Sequence, residues 1–174
     1  MKTYDFILSL DPSGSFKEGK GCTGWSVMDV KANHISLIGN IFAKDYPCME
    51  GYWNAHLKII DEFNKRYKGR LCIVMEDYLL YSHRAESQIN SRMETPKVIG
   101  VIQHHCFTNK IPYYMQMASS VKNRWNNEIL HYKGYIATKS RRYVLPHNNK
   151  LINKHVLDSI RHAVHFHTFK NKEE

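Results

Sequence analysis

Four side chains that could bind a divalent metal ion are spread along the chain, namely Asp11, Glu76, His155 and Asp158. Carboxylate oxygens are hard ligands of the kind that Mg2+ prefers, and an imidazole among them suits Mn2+ somewhat better. Two such ions about 4 Å apart can activate a water and stabilise the leaving oxygen when a phosphodiester bond is cut. The imidazole could also move a proton near neutral pH. These residue types predict a two-metal site for phosphodiester hydrolysis, provided that the fold brings them together.

The two early acids each end a segment whose pattern is that of a buried strand. Asp11 follows the run 4–10 and precedes a Pro-Ser-Gly turn. Glu76 follows the apolar run 71–75, which is typical of a central strand covered on both faces. Asp77 is an alternative to Glu76, because a slip of one residue would turn the other carboxylate inward. A turn residue or an exposed strand end would explain each acid on its own.

His155 and Asp158 lie on one predicted helix. Apolar residues recur at helical spacing over 151–164, and residues three apart share a helix face, so the two side chains point the same way. Asp158 is close to the apolar stripe, where a carboxylate is costly to bury without a partner or a metal. His155 alone would be an ordinary surface or core histidine. The combination of the four positions favours a metal site.

The segments that carry these residues resemble the RuvC-type Holliday junction resolvases, which are crossover junction endodeoxyribonucleases of the ribonuclease H-like superfamily. The likeness lies in four segments in the family's order: Leu-Asp-Pro-Ser-Gly at 10–14, Thr-Gly-Trp-Ser-Val at 23–27, Ile-Val-Met-Glu at 73–76 and His-Val-Leu-Asp-Ser-Ile-Arg-His-Ala at 155–163. The resemblance implies a structure-selective nuclease in which the four metal-binding candidates are catalytic and hold two Mg2+ ions, with Mn2+ as a substitute. It also implies branched DNA, above all the four-way junction, as the substrate.

Two departures from the family pattern point to a bacteriophage branch. Residues 15–21 lengthen the first hairpin, and Ser159 stands where alanine is commoner. Members of that branch often accept a wider range of branched DNA, and their location would be the cytoplasm of the host cell. A symmetric junction needs paired cuts and therefore a two-fold homodimer. By resemblance, the helix that carries Val98, Ile102 and Cys106 supplies the interface.

Length and composition agree with a single domain over residues 1–174. A hydrophobic content of 43% is enough for a full core, and a net charge of +9 favours a polyanionic partner. No apolar run approaches the roughly 20 residues of a membrane span, and the N-terminus lacks the pattern of a signal peptide. We therefore expect a cytoplasmic protein without membrane partners. The four cysteines form no Cys-x-x-Cys pair, which predicts reduced thiols rather than disulfides or structural zinc.

The order of extended and helical segments predicts a ribonuclease H-like α/β fold, with a mixed five-stranded sheet flanked by helices. Three antiparallel strands come first, and the strands that follow a helix should run parallel to the first. The predicted strands are 4–10, 23–30, 34–43, 71–76 and 112–117. The predicted helices are 50–67, 84–108 with a break at Pro96, a short helix capped by Ser119 or Ser120, and 151–164. Residues 131–147 are expected to form a basic connector.

Basic and aromatic residues near the acids are candidates for DNA contact. Lysine and arginine neutralise backbone phosphates without reading sequence, and aromatic rings stack on unpaired bases. The basic candidates are Lys122, Arg124, Lys133, Lys139, Arg141 and Arg142, of which Lys122 stands near the family's phosphate-binding lysine. An ordinary solvated loop is the alternative for the group at 133–142. The aromatic candidates are Tyr78 and Tyr81, whose alternative role is packing under the next helix.

Two other classes of function use the same features. The nuclease domains of large terminases, which cut packaged DNA, have the same fold and acids but normally accompany an ATPase. This chain has no Gly-x-x-x-x-Gly-Lys-Ser/Thr loop. A non-catalytic DNA-binding protein would explain the charge and leave the four metal-binding candidates without a role. Metal dependence separates that protein from a nuclease, and a preference for branched DNA separates a resolvase from a packaging or general ribonuclease H-like nuclease.

Overall fold

The computed structural model describes residues 3–79 and 93–171. The strands in this part of the chain are β1 (Phe6–Asp11), β2 (Cys22–Asp29), β3 (His34–Phe42), β4 (Leu71–Asp77), β5 (Tyr113–Met117), β6 (Ala137–Lys139) and β7 (Arg142–Val144). The helices are α1 (Met49–Tyr67), α2 (Glu94–Thr108), α3 (Ala118–Lys122), α4 (Asn127–Tyr132) and α5 (Lys154–Phe169), with a 3-10 turn at Ala43–Asp45.

A mixed five-stranded sheet in the order β3-β2-β1-β4-β5 forms the centre of the fold. β2 is antiparallel to β1 and β3, whereas β4 runs parallel to β1 and β5 runs parallel to β4. The parallel pairs arise because a helix returns the chain to the starting edge before each of these strands. The sheet confirms the predicted fold class. It also brings the carboxyl ends of β1 and β4 side by side, where Leu10 pairs with Met75 just before the two acids.

Alternate strand residues face two helical layers. Ile7 and Val74 belong to the core that includes α5, while Leu8 and Ile73 belong to the core that includes α1 and α2. All four side chains are fully buried. Burial of each such side chain contributes about 1.5–3 kcal/mol to folding. The alternation therefore holds α5 on one face of the sheet and α1 and α2 on the other.

The start of α5 lies very close to β2 because the strand residue beneath it is a glycine. A Cβ atom at Gly24 would lie 2.1 Å from the carbonyl carbon of His155 and 2.3 Å from the nitrogen of Val156. Gly24 also pairs with Asp11 in the β1–β2 register. This contact sets the height of the first turn of α5 above the end of β1.

Two helix starts differ from the predictions. The short helix α3 is not capped by Ser119 or Ser120, because its N-cap is Met117 and no side chain caps it. α5 begins at Lys154 rather than at 151, and the Asn153 side chain accepts a hydrogen bond from the backbone of the first turn. The apolar pattern alone extended the helix back to residue 151, whereas the Asn153 cap starts it at Lys154.

Two further segments are more structured than the sequence indicated. Residues 131–147 contain the β6–β7 hairpin and the end of α4 rather than a plain connector. Pro96 lies in the first turn of α2, where a missing N–H group is tolerated, and it does not break the helix. Most of the polar piece predicted before Pro96 lies outside the described residues.

The thiols agree with the prediction of reduced cysteines. Cys22, Cys72 and Cys106 are buried, Cys48 is exposed, and all four are free. Within residues 3–79 and 93–171, no helix has the length and apolarity needed to cross a membrane.

Candidate metal centre

Three carboxylates meet at the carboxyl edge of the parallel strands. Asp11 ends β1, Glu76 lies near the end of β4, and Asp158 lies one turn into α5. Each offers one oxygen such that all three oxygens lie within 4.8 Å of one another. Asp11 and Asp158 are buried, with 8% and 3% of their surfaces exposed, and Glu76 is partly buried. Three carboxylates that lie this close together and are this well shielded from solvent need positive partners to remain ionised.

The pKa values of the two strand acids are shifted in opposite directions. Burial raises the pKa of Asp11, and the charges of Glu76 and Asp158 add to this effect, although a hydrogen bond from His155 opposes it. Burial alone would also raise the pKa of Glu76, but hydrogen bonds and positive charge from His162 and Lys122 outweigh it and lower the pKa. An added cation would favour the ionised form of Asp11 and so oppose the rise in its pKa.

Lys122, at the end of α3, places its ammonium group between two of the acids. Nζ lies 3.0 Å from Glu76 Oε2 and 3.2 Å from Asp158 Oδ2. Burial alone would lower the pKa of Lys122, but Glu76, Asp158 and Asp11 together raise it. The ammonium group therefore stays charged, and its position marks a point that favours a cation.

His155 joins the site through Asp11. Its Nδ1–H donates to Asp11 Oδ2 at 2.7 Å, and this hydrogen bond raises the pKa of His155 although burial opposes it. The three converging ligand atoms do not include the imidazole, whose side chain is 37% exposed. The predicted fourth ligand is thus a partner of Asp11 at a position that solvent can reach.

His162 and Gln116 support Glu76 from the buried side. His162 is completely buried, with Nε2 3.1 Å from Glu76 Oε2 and Nδ1 2.9 Å from Gln116 Oε1. A carboxylate can only accept, so the Nε2–H of His162 donates to Glu76. Gln116 pairs with Glu76 across β4 and β5, which places its side chain beside the same helix.

Arg161 supports Asp158 in the same way. Its Nη1 donates to Asp158 Oδ1, its Nη2 donates to Asn127 Oδ1 at 2.5 Å, and its Nε donates to the carbonyl of Trp125 at 2.9 Å. Three acceptors, one in α5, one in α4 and one in the loop before α4, fix the guanidinium plane. Asp158 therefore has two cationic partners, Arg161 and Lys122.

The turn after Asp11 is held by a buried histidine. The Nδ1–H of His56, in α1, donates to the Tyr52 carbonyl at 2.8 Å, and Nε2 accepts from the Thr23 hydroxyl at 2.8 Å. Thr23 accepts the Ser13 N–H, and the Tyr52 hydroxyl donates to the Ser13 carbonyl. Burial lowers the pKa of His56 to about 4, so the ring is neutral at neutral pH. Both backbone groups of Ser13 are thereby fixed, two residues after Asp11.

The loop between β1 and β2 is tied to the start of α2. Gly14 N–H donates to Thr95 Oγ1 at 2.9 Å, and Phe16 N–H donates to Glu94 Oε2 at 2.6 Å. A Cβ atom at Gly14 would lie 2.4 Å from the Thr95 nitrogen, so only glycine permits this approach. The loop after β1 is thus docked on α2 rather than free in solvent.

The structure brings Glu76 rather than Asp77 to the acidic group. Asp77 accepts a hydrogen bond from the backbone of Tyr78 at 2.9 Å. Tyr78 is partly buried just after β4, whereas Tyr81 lies outside the described residues.

The predicted basic DNA contacts lie in different places. Lys122 is at the acidic centre, whereas the Arg124 guanidinium lies 4.6 Å from the centroid of the Phe169 ring. Phe169 ends α5, about 16 Å along the helix axis from the turn that carries Asp158. The other predicted contacts are exposed after α4 or on the β6–β7 hairpin, and they are Lys133, Lys139, Arg141 and Arg142.

Three residues of the centre were not among the predicted site residues, namely Gln116, Arg161 and His162. A signal for His162 exists in the sequence, because it follows His155 by seven residues and Asp158 by four and so shares their helix face. Arg161 follows Asp158 by three residues and so carries the same kind of signal. Gln116 carries none, because its role depends on strand register.

The residues present fit a divalent metal ion. The three converging oxygens are hard donors, two of them belong to buried carboxylates, and an ammonium group already lies between two of the acids. A metal would take over electrostatic contacts that Lys122 now makes. Asp11, which Lys122 does not contact within 4 Å, would supply a further oxygen.

Comparison with known proteins finds similarity in structure but not in sequence. No protein-family model matches the chain, and no curated protein matches it. The structure is similar to that of T. thermophilus RuvC in complex with Holliday junction substrate, with a TM-score of 0.66, 11% sequence identity, and coverage of 97% of this chain and 98% of that chain. At this identity the likeness shows a RuvC-like fold.

Proposed function

We propose that this chain is a metal-dependent endonuclease that cuts Holliday junctions and other branched DNA. The observation that carries the proposal is the convergence of Asp11, Glu76 and Asp158 within 4.8 Å at the carboxyl edge of a RuvC-like sheet. The Holliday junction bound to the similar T. thermophilus RuvC supports the same class of substrate here. The net charge of +9 supports a polyanionic substrate.

Asp11, Glu76 and Asp158 would hold two Mg2+ ions, and Mn2+ would substitute. When bound, the metal supplies activation of a water and stabilisation of the leaving oxygen, so that hydrolysis leaves a 5'-phosphate and a 3'-hydroxyl. The chain's own carboxylates orient this chemistry, and no covalent enzyme intermediate is required.

Two basic side chains act beside the carboxylates in this proposal. His155 is hydrogen-bonded to Asp11 and open to solvent, which suits it to move a proton at the reacting end of the site. Lys122 brings positive charge to the centre and would neutralise a DNA phosphate once it leaves the carboxylates.

We propose that the β6–β7 hairpin binds the DNA backbone. Lys139, Arg141 and Arg142 are exposed on it, and a groove of about 420 Å3 at its base is lined in part by Arg142 and Asn40. Asn40 is level with Asp11 across β1, β2 and β3, two strand spacings or about 10 Å away. A strand running over the metal site could therefore reach this groove.

A homodimer through the outer face of α2 is part of the proposal. Val98, Ile102 and Cys106 are buried in the core of the subunit, so the interface would use the opposite face, which exposes Gly100 and Phe107. Phe107 has 76% of its surface exposed. Sedimentation should give a dimer that Phe107→Lys weakens, whereas a wild-type monomer at assay concentration would contradict the paired-cut proposal.

The remaining proposals concern the source and organisation of the chain. We assign it to a bacteriophage branch of the resolvases, acting in the host cytoplasm as a single domain over residues 1–174. The lengthened hairpin at 15–21 and Ser159 carry this assignment. This assignment can be tested by measuring how many kinds of branched DNA the protein cuts.

The decisive experiment compares wild type with Asp158→Asn on a labelled mobile four-way junction in Mg2+, Mn2+ or EDTA. Linear duplex, replication-fork and flap DNA serve as companion substrates. Symmetric, metal-dependent nicks that the variant loses are the expected result. Binding without cutting in either metal would refute the enzyme, and indiscriminate duplex cutting would favour a packaging or general nuclease.

A further inference from the structure

His162 is buried against the metal centre without being one of the three converging ligands. It lies on the same face of α5 as His155 and Asp158, and its side chain has no solvent exposure. Its two ring nitrogens contact Glu76 and Gln116, so the ring bridges β4 and β5 from above. A fully buried imidazole with both nitrogens engaged has one orientation rather than several.

The contact with Glu76 is directional. His162 Nε2–H donates to Oε2, while Oε1 has only a long contact of 3.4 Å from Lys122 among the described residues. Glu76 has three side-chain torsions and lies at the end of a strand, so it would lose rotamer entropy on binding a cation. A donor fixed on Oε2 removes part of that freedom beforehand. Oε1, and the side of Oε2 that faces Lys122 Nζ at 3.0 Å, stay available to the cation.

Gln116 fixes the ring from its other side. Gln116 Oε1 lies 2.9 Å from Nδ1, and the buried Gln116 Nε2 has no hydrogen-bond partner among the described residues. Turning the amide by 180° would place Nε2 on Nδ1 instead. In both arrangements the Nε2–H of His162 faces the Glu76 carboxylate, so the support of Glu76 does not depend on the amide orientation.

We infer that His162, oriented by Gln116, is a positioning residue that presets the Glu76 carboxylate for a divalent metal ion. The inference rests on the proposed function, because it assigns Glu76 as a ligand. Partners that orient metal ligands typically contribute 10–100-fold, roughly, to metal affinity or activity. His162 should therefore govern metal affinity more than the maximal rate of cleavage at saturating metal.

Two substitutions separate the Glu76 contact from the rest of the histidine. Gln at position 162 places an amide N–H near the site of Nε2, whereas Asn places one only near Nδ1. We expect His162→Asn to weaken Mn2+ binding about 10–100-fold and His162→Gln to stay within a few-fold of wild type. Electron paramagnetic resonance of free Mn2+, titrated without DNA, measures this directly. His165→Asn, one turn further along α5, is the matched control and should bind Mn2+ like wild type.

Cleavage kinetics supply a second readout. Raising the Mn2+ concentration should restore most of the maximal rate of His162→Asn, because a mispositioned ligand weakens affinity without removing the ligand. Wild-type Mn2+ affinity in His162→Asn would overturn the inference. Equal losses in His162→Asn and His162→Gln would also overturn it, because they would indicate a packing role.

Folding and the nuclease proposal are controlled separately. If thermal melts show that His162→Asn is unfolded, Gln116→Met keeps the histidine and should weaken Mn2+ binding about 10-fold, while wild-type affinity in that variant would overturn the inference. Wild type that binds Mn2+ but cuts no DNA would refute the proposed nuclease and leave the positioning role intact. Wild type that binds no Mn2+ would overturn the positioning role.

Discussion

At the scale of single residues, the centre is a balance between three acids and the groups that neutralise them. Lys122 and Arg161 supply two full positive charges, and His155 and His162 supply hydrogen bonds. The acids differ in their partners: among residues 3–79 and 93–171, the side chain of Asp11 pairs with the imidazole of His155 alone, and burial raises its pKa. The negative charge of the three carboxylates is therefore not fully neutralised, and a divalent cation would neutralise it.

Glu76 and Asp77 provide a matched pair for testing this site. Glu76→Gln should reduce metal-dependent junction cleavage at least about 1,000-fold, because a lost metal ligand removes several kcal/mol of transition-state stabilisation. Asp77→Asn keeps an acceptor for the Tyr78 N–H and should cleave like wild type. Single-turnover cleavage at saturating Mg2+ measures both rates. The opposite ranking would assign the ligand to Asp77.

His56 should make stability depend on pH in a defined window. Its pKa falls from 6.5 to about 4 on folding, so the unfolded chain binds the proton more readily. The stabilisation is complete above pH 6.5 and is lost as pH falls through 4, by about 3 kcal/mol in total. Urea unfolding at pH 7 and pH 4.5 should show a smaller loss in His56→Asn, which keeps the donor to Tyr52. An identical loss in both proteins would exclude His56 as the source.

At the scale of elements, the site is built where α5 crosses the ends of two parallel strands. β1 and β4 supply one acid each, and α5 supplies Asp158, the Arg161 that supports it and the His162 that supports Glu76. The distance between helix and sheet depends on Gly24, whose missing side chain admits the backbone of His155. A small change in the strand beneath α5 should therefore displace the helix and lower the activity of the site.

Gly24→Ala should damage both folding and activity. The added Cβ meets backbone atoms at 2.1–2.4 Å, so α5 must move, at a cost of about 1–3 kcal/mol. A displacement near 1 Å should lower cleavage about 100-fold. Urea unfolding and single-turnover cleavage measure the two effects.

Gly51→Ala, in the first turn of α1, is the control for this change. A Cβ at Gly51 meets its nearest atom, Cys48 Sγ, at an ordinary contact distance of 3.5 Å. The alanine should stabilise the protein by about 0.5–1 kcal/mol without changing the cleavage rate. Full activity in Gly24→Ala would show that the spacing between α5 and β2 does not position the site.

At the scale of the whole molecule, positive charge is distributed unevenly. The stretch 129–157 contains six lysine or arginine residues and no acid, and it includes the β6–β7 hairpin and the start of α5. The hairpin and the start of α5 both lie at or next to the sheet edge that carries Asp11. The net charge of +9 is thus partly concentrated next to the acidic centre.

Removing the hairpin charges should weaken DNA binding and its dependence on salt. Each phosphate contact contributes about 0.9 to the slope of log K against log salt. The triple change Lys139→Gln, Arg141→Gln and Arg142→Gln should lower the slope by about 1–3, measured by fluorescence anisotropy with a four-way junction. An equal change in charge at the end of α1, Lys65→Gln, Arg66→Gln and Lys68→Gln, should leave the slope unchanged. Equal effects of the two triple substitutions would show that the hairpin contributes only to the overall charge and makes no phosphate contacts of its own.

The sequence by itself determined the order of strands and helices and the positions of the acids within it. Period-two and helical patterns are local, so β1 to β5 and α1 were predicted to within a few residues. The order of elements then predicted that β1 and β4 run parallel, which the structure confirms. Hence Asp11 and Glu76 could be assigned to one sheet edge before any coordinates.

Only the tertiary structure decided which groups surround those acids. Lys122 and His162 contact Glu76 across 46 and 86 residues of sequence, and no local pattern encodes such pairs. The choice of Glu76 over Asp77 depends on a strand register, and the height of α5 depends on the close contact at Gly24. Such contacts depend on how whole elements pack, and packing is decided by the summed burial of side chains far apart in the chain.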